Sequence, residues 1–188
     1  MEKEKKPIYK KWWFWAIAII LILVVIMSFG GSEESNLSST VNNNISNVQE
    51  LKLGETWIVE GQWKLTINSV KITEERNQFS EKKPNQVVYV TYSYENIGYE
   101  DEMGIMEGLY FDLEPSGDSI VIDENGEVAY SYPCSITNYP QQTPVGAKCT
   151  NAQVCIGLNN QSNTITMNIS KYDGNGKQHK IKYKLDVK

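Results

Sequence analysis

From Trp12 to Phe29 the chain runs 18 residues without a charged side chain, and its centre reads Ala16-Ile17-Ala18-Ile19-Ile20-Leu21-Ile22-Leu23-Val24-Val25-Ile26-Met27. As an α-helix this stretch is about 27 Å long, close to the ~30 Å hydrocarbon core of a bilayer. A helix is the conformation that satisfies every backbone polar group without water. Trp12, Trp13 and Trp15 sit at one end, beside Lys10 and Lys11, an arrangement that places rings at headgroup level and lets the lysines reach the phosphates. The sequence therefore predicts a transmembrane helix over 12–29, with the lipid bilayer as its partner. A core helix would not end in tryptophans next to lysines. A cleaved signal peptide is the competing reading, because Ser28-Phe29-Gly30 loosely fits a small-x-small cleavage site. The apolar run is longer than the 7–15 residues of a signal core, which favours an uncleaved anchor.

Orientation follows from charge. Residues 1–11 carry five lysines against Glu2 and Glu4, whereas the 15 residues after Phe29 carry no Lys or Arg. The positive-inside rule puts 1–11 in the cytoplasm and the C-terminal part outside the cell membrane. Residues 30–50, GGSEESNLSSTVNNNISNVQE, are rich in Ser and Asn with isolated apolar positions. Such a stretch buries too little apolar surface to offset its chain entropy and reads as a flexible linker with a span of roughly 25 Å. The Asn-x-Ser patterns at Asn36, Asn44, Asn160 and Asn168 are common by chance in sequence of this kind.

From Leu51 onward short alternating segments take over. Thr56–Glu60 reads as a first strand. Trp63, Leu65 and Ile67 alternate, then Val70 and Ile72 resume on the opposite parity, which places a bulge near Asn68-Ser69. Gln86–Ile97 is a long strand with Val88, Val90, Tyr92 and Tyr94 on one face. Leu109–Leu113 is a further candidate. Ile120–Ile122 and Val128–Tyr130 flank an Asn-Gly turn and read as a hairpin. Ala152–Leu158 alternates, and Thr164–Ser170 with Lys180–Val187 form a last hairpin around Asp173-Gly174-Asn175-Gly176. Seven or eight short strands separated by turns describe an all-β, antiparallel β-sandwich over 51–188.

Charge and residue inventory exclude several chemistries. Beyond residue 11 the chain carries 13 basic and 21 acidic side chains, an acidic body that argues against nucleic acid as a partner. Arg76 is the single arginine and His179 the single histidine. The acidic group Glu100-Asp101-Glu102 with Glu107, and the turns Asp123-Glu124-Asn125-Gly126-Glu127 and Asp173–Gly176, offer carboxylates to Ca²⁺ but lack the twelve-residue EF-hand spacing; solvated loops and turns are the plainer reading. No pair of carboxylates is marked for glycosidase work, and His179 lies in an ordinary hairpin segment. No catalytic, cofactor-binding or metal residue is assigned, and no cofactor is expected. Eight tyrosines between Tyr89 and Tyr139 suit strands and also suit a recognition surface.

Several of these segments carry a resemblance. Leu53-Gly54-Glu55-Thr56-Trp57 followed by Trp63-Lys64-Leu65-Thr66-Ile67-Asn68-Ser69-Val70, the strand end Glu95-Asn96-Ile97-Gly98, the acidic turn at Asp123–Glu127, and Pro144-Val145-Gly146-Ala147-Lys148 together resemble a Gram-positive bacterial family of uncharacterised extracellular immunoglobulin-like domains. The head from Lys5 to Trp15 is similar to its short membrane anchors. The resemblance implies an immunoglobulin-like sandwich, related in fold to a small secreted mycobacterial antigen, with no enzymatic activity. The expected protein is thus a membrane-anchored cell-surface display of a non-catalytic binding domain, with an extracellular protein or cell-wall ligand. A surface hydrolase or an accessory subunit of a membrane complex are the alternatives.

Three cysteines complete the reading. Cys149 and Cys155 share parity, and on one straight strand their Cα atoms would be about 20 Å apart, beyond disulfide reach. Cys134 precedes a 14-residue loop that Cys149 closes. The expected bridge is Cys134–Cys149, with Cys134–Cys155 and three free thiols as alternatives.

Overall fold

The computed structural model describes residues 48–101 and 108–188. The expected head 1–11, membrane helix 12–29 and linker up to residue 47 lie outside the described residues, as do Glu102 and Glu107 of the acidic group. Among the described residues no helix is long and apolar enough to cross a membrane. The regular elements there are nine strands: β1 Glu50–Lys52, β2 Thr56–Val59, β3 Trp63–Thr73, β4 Gln86–Asn96, β5 Ser119–Asp123, β6 Tyr130–Ser131, β7 Lys148–Leu158, β8 Thr164–Tyr172 and β9 Gln178–Asp186.

They form a four-stranded sheet in the order β1-β9-β8-β5 and a five-stranded sheet in the order β2-β3-β4-β7-β6. Period-2 alternation turns one face of each sheet inward. Trp57, Trp63, Leu65, Ile67, Val88, Val90, Tyr92, Val154 and Ile156 from one sheet meet Leu51, Val121, Ile165, Met167, Ile169, Ile181, Tyr183 and Leu185 from the other in one buried cluster. Trp63 is fully enclosed, with edge-to-face contacts to Trp57, Tyr99, Phe111 and His179 at centroid distances of 5.5 to 6.0 Å, the arrangement that aligns ring edges with ring faces.

The phase shift in β3 is the bulge its sequence called for: Ile67 pairs with Tyr92 and Ser69 with Thr91, leaving Asn68 as the extra residue. The β8–β9 hairpin also forms as expected, with Ile169 opposite Ile181 and Met167 opposite Tyr183.

Three expectations are corrected. First, the sandwich is not wholly antiparallel. β1 starts at Glu50, the last residue of the expected linker, and pairs parallel with β9. Second, Leu109–Leu113 is not a strand. Leu109 makes an isolated bridge with Thr143, and Leu109, Phe111 and Leu113 keep their alternate burial on an irregular backbone. The Tyr92 hydroxyl donates to the Phe111 carbonyl at 2.9 Å, and an Asp118 carboxylate oxygen accepts from the Asp112 amide at 2.9 Å. Side chains thus satisfy polar groups that a ladder would otherwise satisfy. Third, the hairpin around Asp123–Gly126 forms but is short: the Asp123 and Ala129 amides donate to the Glu127 and Val121 carbonyls at 2.9 Å each. After one bridge between Ile122 and Val128 the chain leaves β5 and joins β7 in the other sheet as β6. Gly157 permits this crossing, because a Cβ there would stand 2.6 Å from the Tyr130 ring.

The C-terminus closes one side of the molecule. Lys188 donates its amide to the Val70 carbonyl and its carbonyl accepts from the Ile72 amide, so the second residue after β9 is stitched to β3 of the opposite sheet.

Buried phenols tie strands to neighbouring backbone. The Tyr183 hydroxyl donates to the Leu65 carbonyl at 3.0 Å and accepts from the Trp57 amide at 3.2 Å, bridging β9 to the β2–β3 hairpin. Burial pushes this phenol's pKa well up. Tyr183→Phe leaves a buried amide and carbonyl without that partner and should lower unfolding free energy by about 1–3 kcal/mol. Urea denaturation measures this, and the slope with denaturant should stay unchanged.

Candidate functional site

The cysteines are paired differently from the expectation. Cys134 is bonded to Cys155, with Cα atoms 6.0 Å apart, and Cys149 is free. The parity argument assumes one straight strand between Cys149 and Cys155. β7 instead has a register shift: Tyr92 pairs with Ala152 but Tyr94 pairs with Cys149. The extra residue sits at Thr150-Asn151, with Asn151 at φ 56°, the left-handed region that asparagine tolerates. Cys149 is thereby packed against the main core, where its thiol is a neighbour of the Tyr94 hydroxyl. Burial first, and that thiol second, raise the Tyr94 pKa. Cys155 points to the opposite face, in a smaller buried cluster with Val87 and Tyr132.

That cluster holds a flap against the outer face of the five-stranded sheet. Glu75 anchors it. One carboxylate oxygen accepts from the Tyr89 hydroxyl at 2.6 Å, and the other from the Ser135 amide at 2.7 Å and hydroxyl at 2.9 Å. The Tyr132 hydroxyl accepts from the Asn77 amide at 2.8 Å. The segment around Glu75, the segment after Tyr132 and β4 are therefore bound to one another by a disulfide and four side-chain hydrogen bonds. Burial, then the Glu75 bond and charge, push the Tyr89 phenol up to about 12.

The acidic turns have a common construction. One Asp123 oxygen accepts from the amides of Asn125 and Glu127 at 3.0 and 2.8 Å. One Asp173 oxygen accepts from those of Asn175 and Lys177, both at 2.9 Å. Gly126 and Gly176 follow with φ of 87° and 75°. The second oxygens are also engaged: Asn160 donates to Asp123 at 2.9 Å, and His179 Nε2 lies 2.7 Å from Asp173. The bond to His179, and then the Lys177 amide, hold the Asp173 carboxyl below its ordinary range. Each carboxylate is capping its own turn. The amides that surround it are donors and leave no oxygen array for a cation. Among the described residues no group of three His, Cys, Asp or Glu stands where it would hold a metal ion.

Among the described residues the other candidate chemistries are not assembled. His179 lies opposite Lys171 in the four-stranded sheet, and Cys149 lies in the five-stranded one. A cleft of about 500 Å³ contains Glu74 and Arg76 beside Gln86 and Ser162, and one of about 610 Å³ is bordered by Lys82, Ile120, Val128 and Tyr130. Neither places two carboxylates on facing walls, as glycosidase chemistry needs. A smaller cleft holds Glu100 and Asp101, which are chain neighbours. Of the eight tyrosines from Tyr89 to Tyr139, Tyr92, Tyr94 and Tyr132 are buried, Tyr89, Tyr99, Tyr110 and Tyr130 are half-buried, and Tyr139 is exposed. They serve mostly as strand and core residues and do not form one paratope-like surface.

One feature that pattern reading misses is the outer face of the four-stranded sheet. Along β9, Ile181, Tyr183 and Leu185 point inward, so Lys180, Lys182 and Lys184 project outward in a row. β1 adds Lys52, in register with Lys184, and Glu50, in register with Lys182. On the other flank β8 presents Thr166 and Asn168 beside Lys184 and Lys182, and Ser170 beside Lys180. The Lys-x-Lys-x-Lys alternation against an apolar inward set is a readable signal, although by itself it looks like no more than the polar half of a strand.

The comparisons with known proteins concern the fold. No protein-family model matches the sequence, and no curated protein matches it either. The structure is similar to that of MPT63, a secreted protein from Mycobacterium tuberculosis, at 12% identity over 73% of this chain and 95% of that one, with a TM-score of 0.50. It is also aligned with the yjhA protein from Bacillus subtilis at 16% identity, over 73% of this chain and 98% of that one, with a TM-score of 0.48. At such identity the likeness to MPT63 is one of fold alone, and it agrees with the fold relationship that the family resemblance implied.

Two outcomes test this geometry. Non-reducing peptide mapping should recover Cys134 linked to Cys155, with Cys149 alone alkylated after denaturation. Cys155→Ser should lower stability by about 3 kcal/mol for a bridge of this span in the chain-entropy model, whereas Cys149→Ser keeps the bridge. The second outcome depends on pH. The Tyr89 hydroxyl first, then the Ser135 amide and hydroxyl, hold the Glu75 pKa below the ordinary carboxylate value. A lowered folded-state pKa contributes stability that is complete above the unfolded value and is lost as pH falls through the folded value. Hydrogen-exchange protection of the Ser135 amide should therefore hold at neutral pH and fall under acid conditions. Glu75→Gln should show the low protection at neutral pH as well.

Proposed function

We propose that this chain is a single-pass membrane protein, with its N-terminus cytoplasmic, that displays an immunoglobulin-like β-sandwich outside the cell as a non-catalytic binding module. The anchoring rests on the uncharged run 12–29 and the five lysines before it. The Cys134–Cys155 bridge supports an outside location, since such bonds persist in oxidising compartments. The immunoglobulin-like assignment is supported by two packed sheets between which the chain passes four times, together with the segments from Leu53 to Lys148 that resemble the Gram-positive family.

The observation that carries the binding role is how the reactive side chains are used. Glu75, Asp123, Asp173 and His179 are all engaged in fastening turns or loops. What remains to meet another molecule is surface, above all the lysine-lined face of the four-stranded sheet. Protease added to intact protoplasts tests the topology: it should remove the 48–188 domain while a cytoplasmic marker stays intact. Survival of the domain under conditions that digest a known external protein overturns the orientation.

A further inference from the structure

The geometry points to the outer face of the four-stranded sheet as a docking surface for a linear, nucleobase-free polymer of phosphodiester units, laid along β9 over Lys180, Lys182 and Lys184. This deepens, and rests on, the reading of the domain as a binding module.

Three observations carry it. The first is charge placed against the trend of the molecule. The chain beyond residue 11 has an excess of acidic over basic side chains, yet this face gathers Lys52, Lys180, Lys182 and Lys184 against Glu50 and Asp186. Solvated sheet faces usually set opposite charges across from each other, and like charges directly opposite are destabilising. Here Lys52 stands in register with Lys184. The Lys182 ammonium lies 2.6 Å from Glu50, and the hydrogen bond and charge of Lys182, aided by Lys184 and Lys52, depress the Glu50 pKa. Among the lysines of this face, Lys182 is salt-bridged to Glu50. A polyanion would relieve the remaining repulsion.

The second is the flanking column. Thr164, Thr166, Asn168 and Ser170 on β8 are half-buried, and none is acidic. Their hydroxyls and amide are neutral groups able to hydrogen-bond phosphate oxygens, while lysine supplies the point charge.

The third is shape. Successive outward residues on a strand are about 6.6 Å apart, so the three lysines of β9 form a straight, evenly spaced row on a rigid support. A row suits an extended chain. Binding to a membrane surface relies on apolar side chains that enter the interface, and the exposed Ile120 lies at the β5 edge, two strands away from the row. Single-stranded nucleic acid relies on aromatic stacking platforms among its charges, and the row has none between its lysines.

The test uses the full chain in uncharged detergent and synthetic poly(glycerol phosphate) as the probe, with binding followed by fluorescence anisotropy. Four phosphate contacts should cost roughly fifty-fold in affinity between 50 and 200 mM salt, from the single-strand counterion slope. The combined variant Lys180→Ser, Lys182→Ser, Lys184→Ser should lose at least about tenfold at low salt and show a salt effect roughly twentyfold smaller than the parent's, as expected for three contacts fewer, the lysines of residues 1–11 being common to both. Its Cys134–Cys155 bridge and near-ultraviolet spectrum report that it is folded. If it does not fold, Lys184→Ser alone must weaken binding severalfold. Glu50→Gln should tighten binding by freeing Lys182, and Lys82→Ser with Lys83→Ser, on the other sheet's loop, should leave it unchanged. Absence of saturable binding at 50 mM salt, or equal binding by the lysine-row variants, overturns the proposal. So does tighter binding to oligothymidylate, which would assign the face to nucleic acid. Tighter binding to phosphatidylglycerol vesicles, relative to phosphatidylcholine, would assign it to the lipid surface and likewise overturn it. None of these results bears on the protoplast experiment, so failure of the ligand and failure of the topology are distinguishable.

Discussion

Buried phenols tie the strands of this sandwich to the backbone around them. Two sheets can be brought together by apolar area alone, but irregular segments between them carry backbone groups that lose water on burial. The protein meets that cost with tyrosines that rise from inward strand positions and end on such groups. Tyr92 reaches the carbonyl of Phe111. Tyr94 meets the carbonyl and amide of Gln141. Tyr183 instead joins the sheets directly, reaching Leu65 and Trp57 in the β2–β3 hairpin. The rings fill the core around Trp63 while the hydroxyls fix where the loop after Gly108 and the long loop before β7 run. Burial raises the pKa of all three phenols, so they stay protonated and able to donate.

Much of this architecture is legible in the sequence, and the reasons are specific. Inward-facing sets such as Ile165, Met167 and Ile169 announce their face by period 2, and a phase slip such as that between Ile67 and Val70 announces a bulge because one extra residue inverts every later side chain. The same logic fails at Cys149 for want of a visible slip. Thr150 and Asn151 are polar, so a bulge there leaves no apolar pattern out of phase, and parity alone selects the wrong cysteine as the partner of Cys134. Leu109–Leu113 alternates like a strand, but what decides strand from loop is a neighbouring ladder, and beyond the single Leu109–Thr143 bridge its backbone groups meet side chains of Tyr92, Asp118 and Ser119. The Asn-Gly pair at Asn125-Gly126 does mark a turn. Its exit into the other sheet depends on Gly157, whose relation to Tyr130 exists only in three dimensions.

The candidate sites divide along similar lines. Acidic turn sequences draw the eye as cation ligands, yet Asp123 and Asp173 act otherwise: each closes its own five-residue turn with one oxygen and ties down a side chain with the other. A carboxylate read from sequence as available chemistry is, in the fold, a structural cap. The lysine face is the reverse case. Each Lys of β9 looks ordinary singly, and its meaning arises when β1 places Lys52 beside Lys184 and β8 supplies uncharged neighbours. Neither pairing is visible without the sheet order.

The parallel seam between β1 and β9 also gives the domain a mechanical character. Any pull arriving from the preceding chain enters at Gln49, whose carbonyl accepts from the Lys182 amide, and meets three paired positions, Glu50, Leu51 and Lys52, before the chain turns into the second sheet. Drawn back along the strand axis, the hydrogen bonds of that seam share the load and yield together as a shear joint; drawn outward, they break in succession, like a zipper. Beyond the seam the load passes to Trp57 and the five-stranded sheet. The direction of tension thus decides whether the first element acts as a latch or as a tear strip.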